Sequence, residues 1–342
     1  MAELRKDIVT GRWVIIATSR GKRPTDFSPE DQLIGDTSNC PFCYGNENKT
    51  PSEIYADRPN GGPANSADWT IRVIPNKYPA LSSEELLSKS GEGIYDKMSG
   101  FGNHEVVVET GDHYKVFQEL TLGETQKVLT VFQDRIEDLH RDERNKYVLV
   151  FKNEGPNAGA TLSHTHSQII ATPVTPKRVI EEISGSKDYF EDKERCLFCD
   201  IIAEEKSSGE RIVYENDHYI SYCPYASRFP FEICVLPKYH QMDFYGSRAH
   251  ITDMAKALKI TLSKLSVVLN KPQYNFIIHT SPNRNNPQGL WHNISDCFHW
   301  HFEIMPRLVK VAGFEWGSGF YINPTSPEDA AKYLREAVVE EE

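Results

Sequence analysis

The chain has 342 residues, 39% of them hydrophobic and 25% charged, and a formal net charge of −11. The acidic balance argues against a duplex nucleic-acid binder, which needs a basic face. No run approaches the roughly 18 apolar residues of a membrane span, and the N-terminus lacks the apolar core of a signal peptide, so a cytoplasmic protein without membrane or nucleic-acid partners is expected.

The length suits two domains of about 150–170 residues each. In chain order, residues 13–16, 71–74, 106–108 and 147–151 read as short β-branched or aromatic strands. Residues 123–140 read as a helix, with Val128, Val131, Phe132, Ile136 and Leu139 at helical spacing. A glycine-bearing loop, 155–159, follows, and the polar stretch 174–195 reads as a linker. The second half then repeats the order. Strands are expected at 219–222 and 231–236, a helix at 251–269, a strand at 276–278 and a Pro/Asn/Gly loop at 282–289. A last helix opens at Ser326-Pro327, with proline in the first turn. This pattern predicts an α+β fold in two tandem halves, 1–175 and 190–342, each an antiparallel sheet with packed helices.

One motif occurs twice. Residues 161–170 read T-L-S-H-T-H-S-Q-I-I and 296–305 read D-C-F-H-W-H-F-E-I-M; each is preceded by a C-x-x-C pair, Cys40/Cys43 and Cys196/Cys199. In a reducing compartment that spacing favours metal over disulfide. Zinc takes two sulfurs and two imidazoles in a closed tetrahedral site. Glu105 precedes His113, and Glu232 precedes His240, by the same interval, which pairs the two histidines and ranks His104 below His113. The expected ligand sets are Cys40, Cys43, His113, His164 and Cys196, Cys199, His240, His299, with two structural zinc ions per chain. Cys223, Cys234 and Cys297 read as small buried hydrophobes.

On a strand, residues 164, 166 and 168 share one side. With His164 tied to metal, His166 and Gln168 face the adjoining space. A neutral imidazole is a competent nucleophile toward phosphorus near pH 7, and the Gln168 amide can donate to a phosphate oxygen. Thr161 and Ser163 add hydroxyl donors, and Gly155 and Gly159 let backbone N–H groups approach an anion. In the second copy Glu303 replaces Gln168, and a carboxylate there repels phosphate. One active site per chain is therefore expected, in the first half. Arg20, Lys22 and Arg23 can neutralise a diphosphate; Asn76 can hydrogen-bond a ribose or base; and the glycine-rich 313–319 segment can wrap a ligand.

These strings resemble the galactose-1-phosphate uridylyltransferase family of the histidine-triad superfamily. The likeness spans R-K-D-x-V-T-x-R-W-V-I (5–15), R-G-K-R-P (20–24), C-P-F-C, R-V-I-P-N-K-Y-P-A, F-K-N-E-G-P-N-A-G-A-T-L-S-H-T-H-S-Q (151–168) and G-F-E-W-G-S-G-F-Y-I-N-P (313–324). The resemblance implies two histidine-triad-like halves and a ping-pong reaction in which His166 attacks the α-phosphorus of a nucleotide sugar. A hexose 1-phosphate then leaves a nucleotidyl-histidine. It also implies Gln168 on the α-phosphate, Arg20 and Arg23 on the outer phosphate, and Asn153 and Asn76 on the nucleoside. Phe314 and Glu315 match a loop that handles sugar or acceptor, often across a homodimer interface. Thr165 and Ser167 depart from the Pro and Gly of the well-studied uridylyltransferases. Together with the second C-x-x-C, they bring the strings closer to an ADP-glucose phosphorylase-like branch that passes AMP to inorganic phosphate. Uridylyl transfer to a hexose 1-phosphate, as in galactose metabolism, is the first reading and AMP transfer the second. A dinucleoside-polyphosphate hydrolase and a non-catalytic zinc-stabilised nucleotide-binding protein complete the set.

Overall fold

The computed structural model of the chain describes residues 2–18, 23–27, 35, 37–285 and 292–340. A hairpin opens it, β1 (Ala2–Lys6) and β2 (Trp13–Ala17). The first half then contributes β3 (Tyr55–Asp57), β4 (Ile71–Pro75), an outlying hairpin β5 (Lys89–Glu92) and β6 (Tyr95–Met98), β7 (Asn103–Val108), helix α1 (Leu122–His140), β8 (Tyr147–Glu154) and β9 (His166–Thr172). Two helices follow, α2 (Lys177–Lys193) and α3 (Leu197–Ser208). The second half contributes β10 (Ile212–Glu215), β11 (Tyr219–Tyr222), β12 (Ile233–Pro237), α4 (Ile251–Leu269), β13 (Tyr274–His279), the short α5 (Ile294–Cys297) and β14 (His301–Pro306). The chain closes with α6 (Gly313–Ser318), β15 (Tyr321–Asn323) and α7 (Pro327–Glu336).

Both halves share one ten-stranded sheet, ordered β10-β11-β12-β14-β13-β8-β9-β7-β4-β3. The order is palindromic: each strand of one half has its counterpart at the same distance from the β13–β8 seam. At the seam the pairing is antiparallel, from Tyr274 opposite Glu154 to Ile278 opposite Val150. A second, three-stranded sheet ties β1 and β2 to β15, so the two ends of the chain meet.

The duplicated amphipathic helices explain the layering. The apolar stripe of α1 (Val128, Leu129, Phe132, Ile136) and that of α4 (Met254, Leu258, Leu262, Leu265) cover one face of the sheet in a single core with Val107, Val150, Ile169, Val235, Phe276, Ile278, Phe302 and Ile304. Helix α1 starts at a capping box, in which Glu124 N–H donates to Thr121 Oγ1 and Thr121 N–H donates to Glu124 Oε2. The other face carries smaller apolar clusters, packed against helices α2 and α3 and the Cys40–Cys43 turn.

Three expectations need correction. The 174–195 stretch is not a linker: α2 occupies most of it, burying Val179, Glu182, Ile183 and Ser186. Half of that face is polar, which hides the periodicity. Second, the His-x-His segments only begin as strands at their second histidine, His166 and His301. Third, matching Glu105 to Glu232 is one residue out. Val106 lies opposite Gln168 and Cys234 opposite Glu303, which aligns Glu232 with His104. The connection from β7 to His113 is one residue longer than that from β12 to His240, and so the two histidines still reach equivalent places.

Phe276 is fully buried and packs edge-on against Phe117 of the first half and Phe302 of the second, at 5.6 and 5.9 Å. Phe276→Ala is expected to destabilise the chain by about 3–5 kcal/mol. Because the core is shared, urea unfolding followed by near-UV and far-UV circular dichroism is expected to stay one coincident transition at lower denaturant. Two separated transitions would show that the halves unfold independently.

Candidate active site and metal centres

Each C-x-x-C pair meets two histidines. The ligand atoms of Cys40, Cys43, His113 and His164 lie within 4.8 Å of one another, as do those of Cys196, Cys199, His240 and His299. His164 Nδ1 is 3.7 and 3.6 Å from the Cys40 and Cys43 sulfurs, and His113 Nδ1 is 3.2 Å from Cys43 Sγ. In the second cluster, His240 Nδ1 is 3.6 Å from Cys199 Sγ and His299 Nδ1 is 3.8 Å from it. A tetrahedral zinc with these ligands has S···N edges of about 3.6 Å. The far ring nitrogens are engaged as well. His164, His240 and His299 donate Nε2–H to the carbonyls of Thr110, Ser295 and Pro237 at 2.7, 2.7 and 3.0 Å, and His113 Nε2 lies 3.2 Å from Ser163 Oγ. Those bonds leave Nδ1 of the three carbonyl-bound rings as a lone pair aimed at the sulfurs, the tautomer a metal ligand needs. The donor set and ring orientations therefore fit zinc at both clusters. His301 is not at the second cluster, and His104 is not at the first.

His166 is buried at the start of β9. It donates Nδ1–H to the carbonyl of His164 at 2.8 Å, so Nε2 carries the lone pair. Burial, reinforced by the Lys152 charge, lowers its pKa and keeps the ring neutral. The C-P-F-C turn supplies a wall: the Phe42 ring lies 5.3 Å from His166. Phe198 of C-L-F-C stands likewise at 4.9 Å from His301.

Strand alternation sends Thr165 and Ser167 to the helix side, where polar groups need partners. They have them in a buried pair that the sequence did not reveal. Lys152 Nζ donates to Glu109 Oε2, Thr165 Oγ1 and the His166 carbonyl at 2.8, 2.7 and 3.1 Å. Glu109 accepts from the Thr165 and Ser167 hydroxyls at 2.5 Å each. Both side chains are wholly buried. The signal was present, a lysine inside the strand Y-V-L-V-F-K-N-E and a glutamate ending V-V-V-E, but they stand far apart in the chain.

The other expected residues fall as follows. Gln168 lies beyond His166 on the same face, with Oε1 2.8 Å from His104 Nε2. Asn153 is held from the second half, since Asn275 Nδ2–H donates to its Oδ1 at 2.8 Å and to the Ala158 carbonyl at 2.8 Å. Gln273, next to the same strand, accepts from Asn157 N–H, and a Cβ on Gly155 would meet it at 2.5 Å. Gly159 sits at φ +95°, a backbone conformation that favours glycine, and a Cβ there would lie 3.5 Å from Asn153 Nδ2. Asn76 Oδ1 accepts from Tyr78 N–H. Thr161 is exposed, while Ser163 is engaged by His113 and by Gly35 N–H. Arg23 is described with an exposed side chain; Arg20 and Lys22 lie outside the described residues.

A model of the galactose-1-phosphate uridyl transferase N-terminal domain matches residues 1–176, and a domain of unknown function matches 102–341. The chain belongs to the galactose-1-phosphate uridylyltransferase family. It is an enzyme of the nucleotidyltransferase class. It is 39% identical over 339 residues to the ADP-glucose phosphorylase of Arabidopsis thaliana, covering 98% of this chain and 92% of that one. It is 30% identical over 349 residues to the galactose-1-phosphate uridylyltransferase of Thermotoga maritima, covering 99% and 100%. The crystal structure of the Arabidopsis phosphorylase with bound ADP-glucose superposes with a TM-score of 0.81, at 35% identity, over 99% and 100% of the chains.

In this family member α6 packs on β15 and leaves Phe314 and Trp316 exposed, while Glu315 caps its own helix by accepting from Ala312 N–H. In the second half, Glu303 is ion-paired with Arg178 and Arg228 at 2.8 and 3.0 Å, and His279 Nε2 is 3.4 Å away. These charges hold its carboxyl well below the usual range. A cavity of about 770 Å³ opens over that face, between His301, Glu303 and the 6–14 segment. Among the described residues, no helix is long and apolar enough to cross a membrane.

Removing one partner of a buried ion pair strands the other. Lys152→Met is expected to cost about 3–5 kcal/mol, with Glu109→Gln added in the same chain recovering a large part. Urea unfolding of the two variants checks this; equal losses would show that the pair carries no mutual stabilisation.

Proposed function

We propose that the enzyme transfers a nucleoside monophosphate from a nucleotide sugar through a covalent nucleotidyl-His166. The observation that carries this is the His166 ring, anchored by Nδ1–H on the His164 carbonyl with Nε2 unprotonated. In the first step the Nε2 lone pair bonds to the α-phosphorus. The bond from that phosphorus to the bridging oxygen breaks, and the sugar 1-phosphate leaves with the electron pair. The imidazolium formed keeps its Nδ1 proton, and the His164 carbonyl stabilises the new positive charge. An acceptor phosphate oxygen then attacks the same phosphorus, and the P–N bond returns its electrons to Nε2. No proton needs to move on the ring in either step.

Gln168 is assigned to the α-phosphate, Arg20 and Arg23 to the outer phosphate, and Asn76 and Asn153 to the nucleoside. Gly159, Thr161 and Ser163 border the phosphate path. Phe314 and Glu315 are assigned to the sugar or acceptor, reached across a homodimer for which the exposed α6 is the suited surface. Zinc, held by the two Cys₂His₂ clusters, serves the structure and not the chemical step, because four protein ligands leave no open position for substrate.

For the nucleotide, the greater likeness to the ADP-glucose phosphorylase favours ADP-glucose as donor and inorganic phosphate as acceptor, giving ADP and glucose 1-phosphate. Uridylyl transfer between UDP-glucose and a hexose 1-phosphate is the second reading. It is supported by full-length likeness to the Thermotoga enzyme.

Intact-protein mass after brief incubation with ADP-glucose or UDP-glucose, without acceptor, tests the reading. The expected result is a gain of one AMP from ADP-glucose that phosphate removes, and no gain in His166→Asn. A gain of UMP would select the second reading; no gain from either donor would overturn both. Elemental analysis is expected to find two zinc ions per chain, and His113→Ala is expected to lose only the first.

A further inference from the structure

On sequence His104 is a secondary metal-ligand candidate; in the fold it stands beside Gln168 instead. The ring bridges two groups whose roles are fixed. Ala80 N–H donates to His104 Nδ1 at 3.2 Å, so that nitrogen is the lone-pair side. In the neutral ring Nε2 then carries the proton, and Gln168 Oε1, 2.8 Å away, accepts it. The consequence lies in Gln168. With Oε1 held by His104, the amide cannot turn over, and its NH₂ group is directed away from His104.

Asn76 approaches the same nitrogen from its other side. Its Oδ1 accepts from Tyr78 N–H, which turns its NH₂ toward His104, with Nδ2 3.1 Å from Nε2. Nε2 cannot accept from that NH₂ and donate to Gln168 at once; with Nδ1 taken by Ala80 N–H, the neutral ring donates from Nε2 to the nearer Gln168 Oε1.

We infer that His104 is a positioning residue that sets the direction of the Gln168 amide, so that Gln168 donates to the phosphate rather than presenting its carbonyl oxygen. The inference rests on the proposed chemistry at His166. An amide free to rotate spends part of its time with Oε1 toward the phosphate, where oxygen meets oxygen and transition-state stabilisation is lost.

The test is a double-mutant cycle. His104→Phe keeps the ring volume and removes the donor. It is expected to lower the rate of nucleotidyl-enzyme formation roughly 10- to 100-fold, with KM changed little and zinc content and melting temperature kept. In the His104→Phe background, Gln168→Ala is expected to cost far less than in the wild-type background; additive losses would overturn the inference. His104→Gln places an amide nitrogen the same number of bonds from Cβ as Nε2 and is expected to restore most of the rate, whereas His104→Asn, one bond shorter, is not. A readout independent of turnover is the Gln168 side-chain amide in ¹⁵N–¹H spectra, assigned by its loss in Gln168→Ala. His104→Phe is expected to shift it and speed its hydrogen exchange. An unchanged Gln168 signal would overturn the inference whatever the enzyme catalyses, whereas a wild-type enzyme inert to both donors would overturn the proposed function.

Discussion

The active strand depends on a buried ammonium. Lys152 has no water to hydrate it, and an isolated charge there would be untenable. Its three N–H bonds are spent on Glu109, Thr165 and the His166 carbonyl, with Glu154 3.3 Å away. Glu109 in turn holds the hydroxyls on either side of His166. Backbone and side chains of Thr165, His166 and Ser167 are thus fixed from below, while the ring of His164 is fixed from beside by the cysteine cluster. The nucleophile itself needs only one further bond, to the His164 carbonyl. A ring held this way attacks along one direction, which is what a covalent transfer between two phosphate partners requires.

The second half shows that the fold does not need this pair. In the sheet register Lys152 lies opposite Ser167, and Ile278 lies opposite Phe302 in the equivalent place. Trp300 stands where Thr165 does. All three second-half residues are buried in the common core. The same architecture is therefore built with apolar groups at those positions, as expected where ion pairs and well-packed hydrophobes are near exchange in stability. The polar version survives in the half that carries Gln168. Its retention is explained by the orientation it imposes on the strand more than by any gain in stability.

What could be read from sequence follows from the same contrast. The two cysteine pairs, the two His-x-His runs and the helices α1 and α4 are local patterns, set by spacings of two to four residues. The helices and the two Cys–His clusters form where those patterns place them, although each His-x-His strand starts only at its second histidine. Helix α2 escapes because Glu182 and Ser186 occupy its buried face, so its period is not one of hydrophobicity. Lys152 and Glu109 escape because a charged residue in a strand reads as solvated until the strand is known to be central. Asn275 and Gln273 act on Asn153 and on the 155–159 loop only through the β8–β13 seam, a pairing between halves that no local pattern carries. His104 reads as a spare ligand, since its register relative to Gln168 appears only when β7 is laid against β9.

The replacement of Gln168 by Glu303 has a different meaning in the structure than charge repulsion alone suggests. The Glu303 carboxylate is not a bare negative charge, because Arg178, Arg228 and His279 surround it, and Arg228 also binds Glu232 through Nε at 2.9 Å. His301 keeps the arrangement of His166, donating Nδ1–H to the His299 carbonyl at 3.1 Å. The second half therefore retains an oriented imidazole among cations that already face carboxylates. Its guanidinium groups, which in another setting would grip a phosphate, are committed to carboxylates of the same chain. A phosphate entering there would have to displace Glu303 from Arg178 and Arg228 and leave a buried carboxylate uncompensated, a loss that binding of one anion does not offset. The two halves differ less in shape than in where their cations are spent: on internal carboxylates in one, and beneath the nucleophile strand in the other.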